Sequence, residues 1–401
     1  MAEAAGSRGP LDGLVAVEAG QLIAGPFCGQ LMGDLGATVI KIEPPGVGDP
    51  MRAWGRGAPV WWEVIARNKK SVSIDLRKPA GQDLARRLIA GADFLIENFR
   101  PGVLEGWNLS PERLRSENPG LIVVRMSGFG QTGPYSDRAG FGGIGEAMGG
   151  WRAIVGEPDR PPARMGVSIG DSLAATYGCL GALAALHVRS RTGQGQVVDS
   201  ALYEAVLQVM ESLVPEFVTT GEARERSGAI LPGIAPSNVY RCSDGEYLIG
   251  ANGEGVFRRL CEAMRRTDLA DDPRYADHVS RGRHQRELDE LIEAWTSTLT
   301  VSAVEELMRA HGVPAGRIFR PADMLSDPHF QARGALVAFP DHPRWPGLTM
   351  QNVFPKLSDT PGGVRSLAPH RVGQDNADIL GHRLGLSANE LRALADAGVI
   401  G

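Results

Sequence analysis

Short apolar segments alternate with helix-like segments through the first third of the chain. The strand-like runs occupy residues 14–18, 38–43, 72–76, 94–97 and 121–126. Helical segments begin near Pro26, Gly81 and Ser110. Because parallel strands need a crossover connection, usually a helix, this alternation predicts an open parallel α/β sheet of the Rossmann-like kind. Further along, long helices are predicted after Asp171 and over residues 198–214.

The second half of the chain changes character. Residues 219–237 are rich in glycine, proline and charge, and we expect them to form a linker. A smaller α/β unit is predicted over residues 238–320, with much of its charge on helices. Residues 321–401 start as an extended segment rich in proline and glycine and end in helices. Residues 1–218 are then the main part of a larger domain.

Composition excludes several classes of protein. The 401 residues carry 42 Lys and Arg against 47 Asp and Glu, a net charge of −5, which argues against a general nucleic-acid binder. The four cysteines have neither CxxC spacing nor a histidine at zinc-ligand spacing, so no metal site is predicted. The longest apolar stretch is far shorter than the ~20 residues of a membrane span. Residues 1–10 lack an apolar core, so we expect no signal peptide and a cytoplasmic location.

Two glycine-rich segments, residues 128–133 and 140–145, match the GxGxxG pattern literally. A dinucleotide site also needs a strand before the motif, a helix directly after it and an acidic residue about 20 residues on. Neither segment meets all of these conditions. We interpret both as glycine turns at the carboxyl edge of the sheet, where ligands bind in such folds.

Residues 166–170 read GVSIG, the nucleophile-elbow pattern of α/β-hydrolases. Ser168 would need a downstream histidine and acid, but no histidine stands in a suggestive context. Two interpretations of residues 166–170 therefore stay open. Ser168 is the nucleophile of a serine hydrolase or acyl-CoA thioesterase, or the segment is a tight turn with no catalytic role.

Asp171 lies in the same turn, and two roles fit it. An Asp before a helix is most often an N-cap, whose oxygen accepts from the first free helical amides. The glycine-rich turn could instead hold the carboxylate at the sheet edge beside backbone donors, where it can attack acyl groups as a covalent nucleophile. The spacing alone leaves both roles open.

Basic residues cluster in the N-terminal third of this acidic chain. They are Arg52, Arg56, Arg67, Lys69, Lys70, Arg77, Lys78 and Arg100. Such a cluster favours a phosphorylated ligand, and the alternative is an ordinary solvated surface. Three nearby tryptophans, Trp54, Trp61 and Trp62, either cover a ligand or pack internally.

Taken in order, these segments resemble the class III CoA-transferases, the family of formyl-CoA:oxalate and carnitine CoA-transferases. The most specific segments are KIEPPGVGDPMR at 41–52, ENFRPG at 97–102 and RTGQGQVVD at 191–199. The matching pieces run almost end to end, from LDGLVAVE at 11–18 to GLSANELRALADAGVI at 385–400.

This resemblance implies an enzyme that moves CoA from an acyl-CoA donor to a carboxylic acid. The family's nucleophile matches Asp171, which would form an aspartyl anhydride and then an aspartyl-CoA thioester. CoA would be a substrate, and no tightly bound cofactor is expected. The residues that match the family's CoA contacts are Leu76, Arg77, Lys78, Asn98, Phe99 and Arg100, with Ile23 and Ala24 at the thioester end. Substrate contacts are expected at Phe141, Gly142 and Arg164, with Arg52 as a second candidate cation.

The same resemblance implies an interlocked homodimer whose large domain is built from both chain ends. The family also contains α-methylacyl-CoA racemases, which pair an acid with a histidine where this chain has Phe141 and Gly142. Since no histidine precedes Cys179, racemisation is a weaker alternative. Pro44 and Gly106 stand where some relatives carry arginine. Residues 140–151 and 230–240 look most like relatives that use succinyl-CoA and dicarboxylate acceptors.

Overall fold

A computed structural model describes residues 9–401, so the prediction about a signal peptide lies mostly outside the described residues. The chain divides into two compact units. The first contains the chain up to Trp151, Met165–Pro215 and Gly334–Gly401, and the second contains Arg152–Arg164 and Glu216–Arg333. The domain boundaries given above stay predictions.

Six of the strands form one parallel sheet in the first unit. The strands of the chain are β1 (Val15–Glu18), β2 (Thr38–Glu43), β3 (Lys69–Ser73), β4 (Phe94–Glu97), β5 (Ile122–Ser127), β6 (Val197–Ala201), β7 (Ser237–Cys242), β8 (Gly245–Gly250), β9 (Ala315–Arg317), β10 (Leu336–Phe339) and β11 (Leu348–Gln351). The parallel sheet has the order β3-β2-β1-β4-β5-β6. This order confirms the predicted open Rossmann-like sheet. Its direction of winding reverses between β1 and β4, and ligands bind at the carboxyl ends of strands at such a switch point.

Helices connect and cover these strands. They are α1 (Ala24–Asp34), α2 (Trp61–Ile65), α3 (Pro79–Ala90), α4 (Val103–Gly106), α5 (Pro111–Glu117), α6 (Gly142–Met148), α7 (Trp151–Ile154), α8 (Ile169–Thr192), α9 (Leu202–Leu207), α10 (Leu213–Thr220), α11 (Glu254–Ala263), α12 (Thr267–Ala270), α13 (His278–Arg283), α14 (Gln285–Thr296), α15 (Val301–His311), α16 (Pro321–Ser326), α17 (Pro328–Ala332) and α18 (Ala388–Asp396). A 3₁₀ turn spans Pro50–Ala53 and a π-helical segment spans Ala377–Arg383.

The sheet is buried on both faces, which is why its strands are nearly continuous apolar runs. Val15 and Val17 point into a cluster with α3, α5 and the C-terminal segment. Ala16 points the other way, into a cluster with α1 and α8. Small side chains on α8, such as Ala175 and Ala182, let that helix pack closely on the sheet. The sheet therefore fixes where its carboxyl-edge loops lie.

The helix predicted over 198–214 is wrong. Residues Val197–Ala201 pair with β5 as the sixth strand, and only then does α9 begin. The Ser200 hydroxyl donates to the carbonyl of Ala174 on α8 at 2.9 Å. The backbone of β6 hydrogen-bonds to the edge of β5. Since that edge becomes available only when the sheet forms, the local sequence around β6 does not reveal it.

The second unit is a smaller α/β structure. Its sheet is antiparallel, in the order β7-β8-β9. Helices α11, α14 and α15 contribute Phe257, Leu288, Ile292 and Met308 to its hydrophobic core.

Candidate active site

A cavity of about 160 Å³ opens at the switch point of the parallel sheet, and we call it the switch-point cavity. Its walls are the loops that follow β1, β4 and β5, together with the start of α8. The lining residues are Leu22, Ile23, Ala24, Trp54, Asn98, Met126, Ser127, Gly128, Gly140, Phe141, Asp171 and Leu202. The structure thus brings together five residues predicted for the site: Ile23, Ala24, Asn98, Phe141 and Asp171.

Asp171 lies inside the first turn of α8 and not at its cap. The helix starts at Ile169, and Ser168 is the N-cap residue, with no side-chain cap hydrogen bond. The plain N-cap role for Asp171 is therefore wrong. The positive end of a helix favours a negative charge in its first turn. The carboxylate therefore lies at this positive helix end, on the wall of the switch-point cavity.

The Asp171 carboxylate lies directly against the backbone of Gly142. A Cβ atom added at Gly142 would come within 2.0 Å of Asp171 Oδ2, so no other residue fits there without moving the carboxylate. Gly142 is buried and begins α6, while Phe141 before it has an extended backbone and a half-exposed side chain. The glycine that the sequence predicted as a substrate contact thus shapes the space around the carboxylate.

Glycines also explain both GxGxxG segments. The backbones of Gly128 and Gly140 touch, since a Cβ at either would lie within 2.6 Å of the other's Cα. The backbones of the two segments thus approach each other closely at the carboxyl edge of the sheet, as interpreted above. The first segment is followed by turns, whereas the second leads into α6 without a strand directly before it.

Asn98 holds the loop after β1. Its Oδ1 accepts from the backbone N–H of Gln21 at 2.8 Å, and its Nδ2 donates to the carbonyl of Gln21 at 2.8 Å. Gly20 and Gly25 leave room for it, because a Cβ at Gly20 would be 2.7 Å from Asn98 Oδ1. Asn98 therefore ties the loops after β1 and β4 together at the switch point.

A second cavity, of about 310 Å³, lies beside the first along the same sheet edge, and we call it the edge cavity. It is lined by Ala19, Gln21, Ile42, Pro44, Val47, Ile74, Asp75, Leu76, Arg77, Phe99 and Trp107. Phe99 packs edge-on against Trp107 with ring centroids 5.0 Å apart. Gln21 lines the edge cavity and Leu22 lines the switch-point cavity, so a single loop borders both.

The predicted cationic contacts lie on the exposed rim. Arg77 pairs with Asp75 at 2.8 Å, and this hydrogen bond lowers the pKa of Asp75. Lys78 donates to the carbonyls of Ala397 and Gly398. Arg100 is also exposed and donates to the carbonyl of Asp137 at 2.7 Å, and neither Lys78 nor Arg100 lines the switch-point cavity or the edge cavity. The charged groups of Arg77, Lys78 and Arg100 thus lie at the surface near the apolar edge cavity.

Two residues of the basic cluster are buried in ion pairs inside the protein. Lys69 is buried against Glu18 at 2.7 Å, and Arg67 is buried against Asp34 at 2.6 Å. Neither prediction for the cluster, a phosphate site or a solvated surface, describes these two residues. Of the tryptophans, Trp62 is buried and packs internally, whereas Trp54 lines the switch-point cavity.

Arg52 does not serve as a free cation for a substrate. Its guanidinium binds both oxygens of Glu43 at 2.7 Å and the backbone carbonyls of Pro369 and His370. Arg164, the other candidate, is an exposed residue of the second unit.

The nucleophile-elbow pattern has the wrong context. An elbow places its serine on a strained turn between a strand and a helix. No strand leads directly into residues 166–170, and Ser168, with φ −82°, lies outside the left-handed region. Among the described residues, no group of three or more His, Cys, Asp or Glu side chains could hold a metal ion.

Sequence reasoning missed part of the cavity wall. Ser127, at the end of β5, and Leu202, directly after β6, line the switch-point cavity. Ser127 directly follows the strand predicted over residues 121–126, so its place at the carboxyl edge could have been inferred. Leu202 could not, because the strand before it was read as a helix.

Comparison with known proteins places the chain in a family. Residues 11–376 match the model of CoA-transferase family III. The chain is 57% identical to the succinyl-CoA–D-citramalate CoA-transferase of Chloroflexus aurantiacus, over 98% of both chains. It is 39% identical to the beta subunit of the succinyl-CoA–L-malate CoA-transferase of the same organism, again over 98% of both.

A solved structure has the same fold. The CAIB/BAIF family protein from Brucella suis is 35% identical, with a TM-score of 0.82, covering 94% of this chain and 99% of its own. These findings confirm the resemblance drawn from the sequence. The chain belongs to CoA-transferase family III and is a CoA-transferase.

Proposed function

We propose that this enzyme transfers CoA from succinyl-CoA to a dicarboxylic acid of the D-citramalate kind, with Asp171 as its covalent nucleophile. The observation that carries the proposal is the Asp171 carboxylate on the wall of the switch-point cavity, against the backbone of Gly142. The 57% identity to a relative named for succinyl-CoA and D-citramalate supports the choice of donor and acceptor.

The two adjoining cavities fit the two ends of an acyl-CoA. The edge cavity offers an apolar floor and Arg77 at its rim, which suits an adenosine and its phosphates. Lys78 and Arg100 are further exposed cations for the phosphates. The pantetheine chain would then pass the loop after β1, past Ile23 and Ala24, and bring the thioester to Asp171.

The first half of the reaction makes a covalent enzyme. A carboxylate oxygen of Asp171 attacks the thioester carbonyl, the C–S bond breaks, and CoA leaves as a thiolate, giving a succinyl-aspartyl anhydride. The thiolate then attacks the aspartyl carbonyl, releasing succinate and leaving an aspartyl-CoA thioester. Because CoA stays bound, each return step is effectively unimolecular, which is a large proximity gain.

The second half regenerates the carboxylate. A carboxylate of the acceptor attacks the aspartyl thioester and expels CoA thiolate, forming a new anhydride. The thiolate attacks the acceptor's carbonyl, giving the product acyl-CoA and free Asp171. Backbone amides around the glycine turns are suited to stabilise the tetrahedral oxyanions.

We also propose that a second copy of the chain covers α8. This helix is apolar around most of its circumference, yet Leu180 is 60% exposed and Val188 is 36% exposed. Among the described residues, α8 alone is long and apolar enough to cross a membrane by length and composition, but its small residues pack on the sheet as in a core helix. Leu180→Arg should shift sedimentation towards the monomer, while Val279→Arg, equally exposed in the second unit, should not. A cytoplasmic location stays a prediction.

The substrate experiment uses mass spectrometry of CoA species. The enzyme is mixed with succinyl-CoA and, separately, with D-citramalate, L-malate, mesaconate, glutarate, oxalate or a monocarboxylate. A new acyl-CoA with D-citramalate above all others is expected. Succinyl-CoA left intact with every acid would refute the donor, and free CoA formed without an acceptor would indicate a thioesterase.

The nucleophile is tested in the same assay with a matched pair of variants. Asp171→Asn should abolish transfer and keep CoA binding, because it removes the attacking oxygen's charge. Ser168→Ala, three residues away in the same turn, should keep near-native turnover. An active Asp171→Asn enzyme would refute the covalent mechanism.

A further inference from the structure

The loop between β1 and α1 forms one wall of the switch-point cavity, and buried side chains hold its backbone. Asp49 Oδ1 accepts a hydrogen bond from the backbone N–H of Leu22 at 3.1 Å. Lys41 Nζ donates to the backbone carbonyl of Gly20 at 2.9 Å. Two backbone groups of the loop, at Gly20 and Leu22, are thus held by charged side chains from β2 and the segment after it.

These side chains belong to a buried network of four charges. Lys41 Nζ lies 2.8 Å from both Glu18 Oε1 and Asp49 Oδ2. Lys69 Nζ lies 2.7 Å from Glu18 Oε2 and donates to the carbonyl of Pro26, in the first turn of α1, at 2.6 Å. All four side chains are at most 1% exposed. We call Glu18, Lys41, Asp49 and Lys69 the loop anchor.

The conformation that the anchor holds is a strained one. Leu22 has φ +62°, in the left-handed region that a bulky residue rarely adopts. Such a backbone persists only where the surrounding structure determines it, and it concentrates at functional sites. Leu22 lines the cavity, and Asp49 binds its N–H.

Stability alone does not account for the anchor. A buried ion pair gains little over well-packed apolar residues of similar volume, because both charges lose their hydration. What apolar residues cannot do is hold backbone N–H and C=O groups, and the anchor holds them at Gly20, Leu22 and Pro26.

We propose that Lys41 and Asp49 are positioning residues for CoA transfer, which fix Leu22 and Ile23 against the thioester next to Asp171. This inference rests on the proposed active site. Misplacing a reacting group by about 1 Å costs on the order of 10²-fold in rate, so a loosened loop lowers kcat more than it weakens CoA binding.

The test removes both partners together, so that no charge is left buried alone. K41M/D49L deletes the anchors of Gly20 and Leu22 while Glu18 keeps Lys69. We expect kcat with succinyl-CoA to fall about tenfold or more, with KM for succinyl-CoA changed by less than about threefold. K41M/D49N keeps an amide oxygen for the N–H groups of Leu22 and Met51 and should recover part of kcat.

The matched control is D34L/R67M, which removes another buried ion pair of the same unit. Asp34 and Arg67 lie 2.6 Å apart and contact the far end of α1, not the loop. A merely structural role predicts equal losses in the two double variants. We expect the control to keep kcat within about twofold of the native enzyme.

Each outcome decides the inference. Native kcat in folded K41M/D49L, or an equal loss in D34L/R67M, overturns it. If K41M/D49L does not fold, K41M/D49N still tests it, since unchanged kcat there overturns the role of Lys41. An inactive Asp171→Asn beside an unaffected K41M/D49L refutes this inference alone, and an active Asp171→Asn refutes the proposed site and this inference with it.

Discussion

Two neighbouring strands of the sheet, β1 and β4, each end in a buried glutamate beneath a loop of the site, yet the two glutamates stand in opposite charge environments. Glu18 at the end of β1 is shared by two lysines, Lys41 and Lys69. At the end of β4, Glu97 shares a single cation, Arg125, with Glu105. The glutamate beneath the loop after β1 therefore has two cationic partners, whereas the glutamate beneath the loop after β4 shares one cation with a second carboxylate.

The difference shows in the pKa values. Burial would raise the pKa of Asp49 next to Glu18, but the charge of Lys41 outweighs burial and lowers it. Burial raises the pKa of Glu97 to about 7, because Arg125 compensates only in part. Glu105 is more exposed, and its hydrogen bond with Arg125 outweighs burial and lowers its pKa. Lys41 thus favours the ionised form of Asp49, whereas burial moves the pKa of Glu97 close to neutral pH.

The largest expected effect is at Glu18. Glu18→Gln leaves two lysines buried with only Asp49 as a carboxylate partner, and breaking a buried pair in this way costs about 3–5 kcal/mol. Urea unfolding at pH 8 measures the loss, with Glu97→Gln as the matched change at the next strand. A loss below about 1 kcal/mol at Glu18 would show that the network does not depend on its central carboxylate.

The second effect is a pH dependence at Glu97. Its pKa is raised on folding from 4.5 to about 7, so the folded state binds the extra proton. Its contribution to stability is therefore full below pH 4.5 and is lost as the pH rises through 7. Glu97→Gln should match the native enzyme near pH 4.5 and exceed its stability above pH 7, by at most about 3 kcal/mol.

Glu43, at the end of β2, is the control for this pH effect. Burial would raise its pKa, but Arg52 outweighs burial and lowers it. Its contribution is present above pH 4.5 and is lost as the pH falls through its lower folded pKa. Glu43→Gln should therefore lose stability at pH 8, the opposite sign. Parallel pH profiles for the Glu97 and Glu43 variants would contradict the contrast.

The smallest effect concerns how the two loops turn. The loop after β1 turns at Leu22, with φ +62°, and the loop after β4 turns at Gly102, with φ +89°. Gly102→Ala meets no atom within 4 Å and should cost only the left-handed strain, about 1–2 kcal/mol. Leu22→Gly relieves such strain but frees the unfolded chain by about 0.5–1 kcal/mol, so we expect it to change stability by between zero and a gain of about 1.5 kcal/mol. Thermal unfolding compares the two, and a large loss for Leu22→Gly would mean that its side-chain packing dominates.

Much of the fold and part of the site followed from local pattern. Apolar runs between helix signals gave the parallel sheet, because both of its faces are buried. Asp171, Asn98 and Phe99 follow predicted strands or turns, so their place at the carboxyl edge could be inferred. The sixth strand could not, because its residues carry no strand pattern of their own and depend on the edge of β5.

By itself, the sequence determined the apolar segments that form most strands of the parallel sheet. It also determined the turn that carries Asp171 and the glycines around that carboxylate. Only the tertiary structure decided which charges are free. Lys69 looks like a surface cation in the sequence, but its partner Glu18 is 51 residues away and the pair is fully buried. Charge type is a local property, whereas burial and pairing depend on strands that meet only after folding, and so the four buried charges beneath Leu22 could be recognised only in three dimensions.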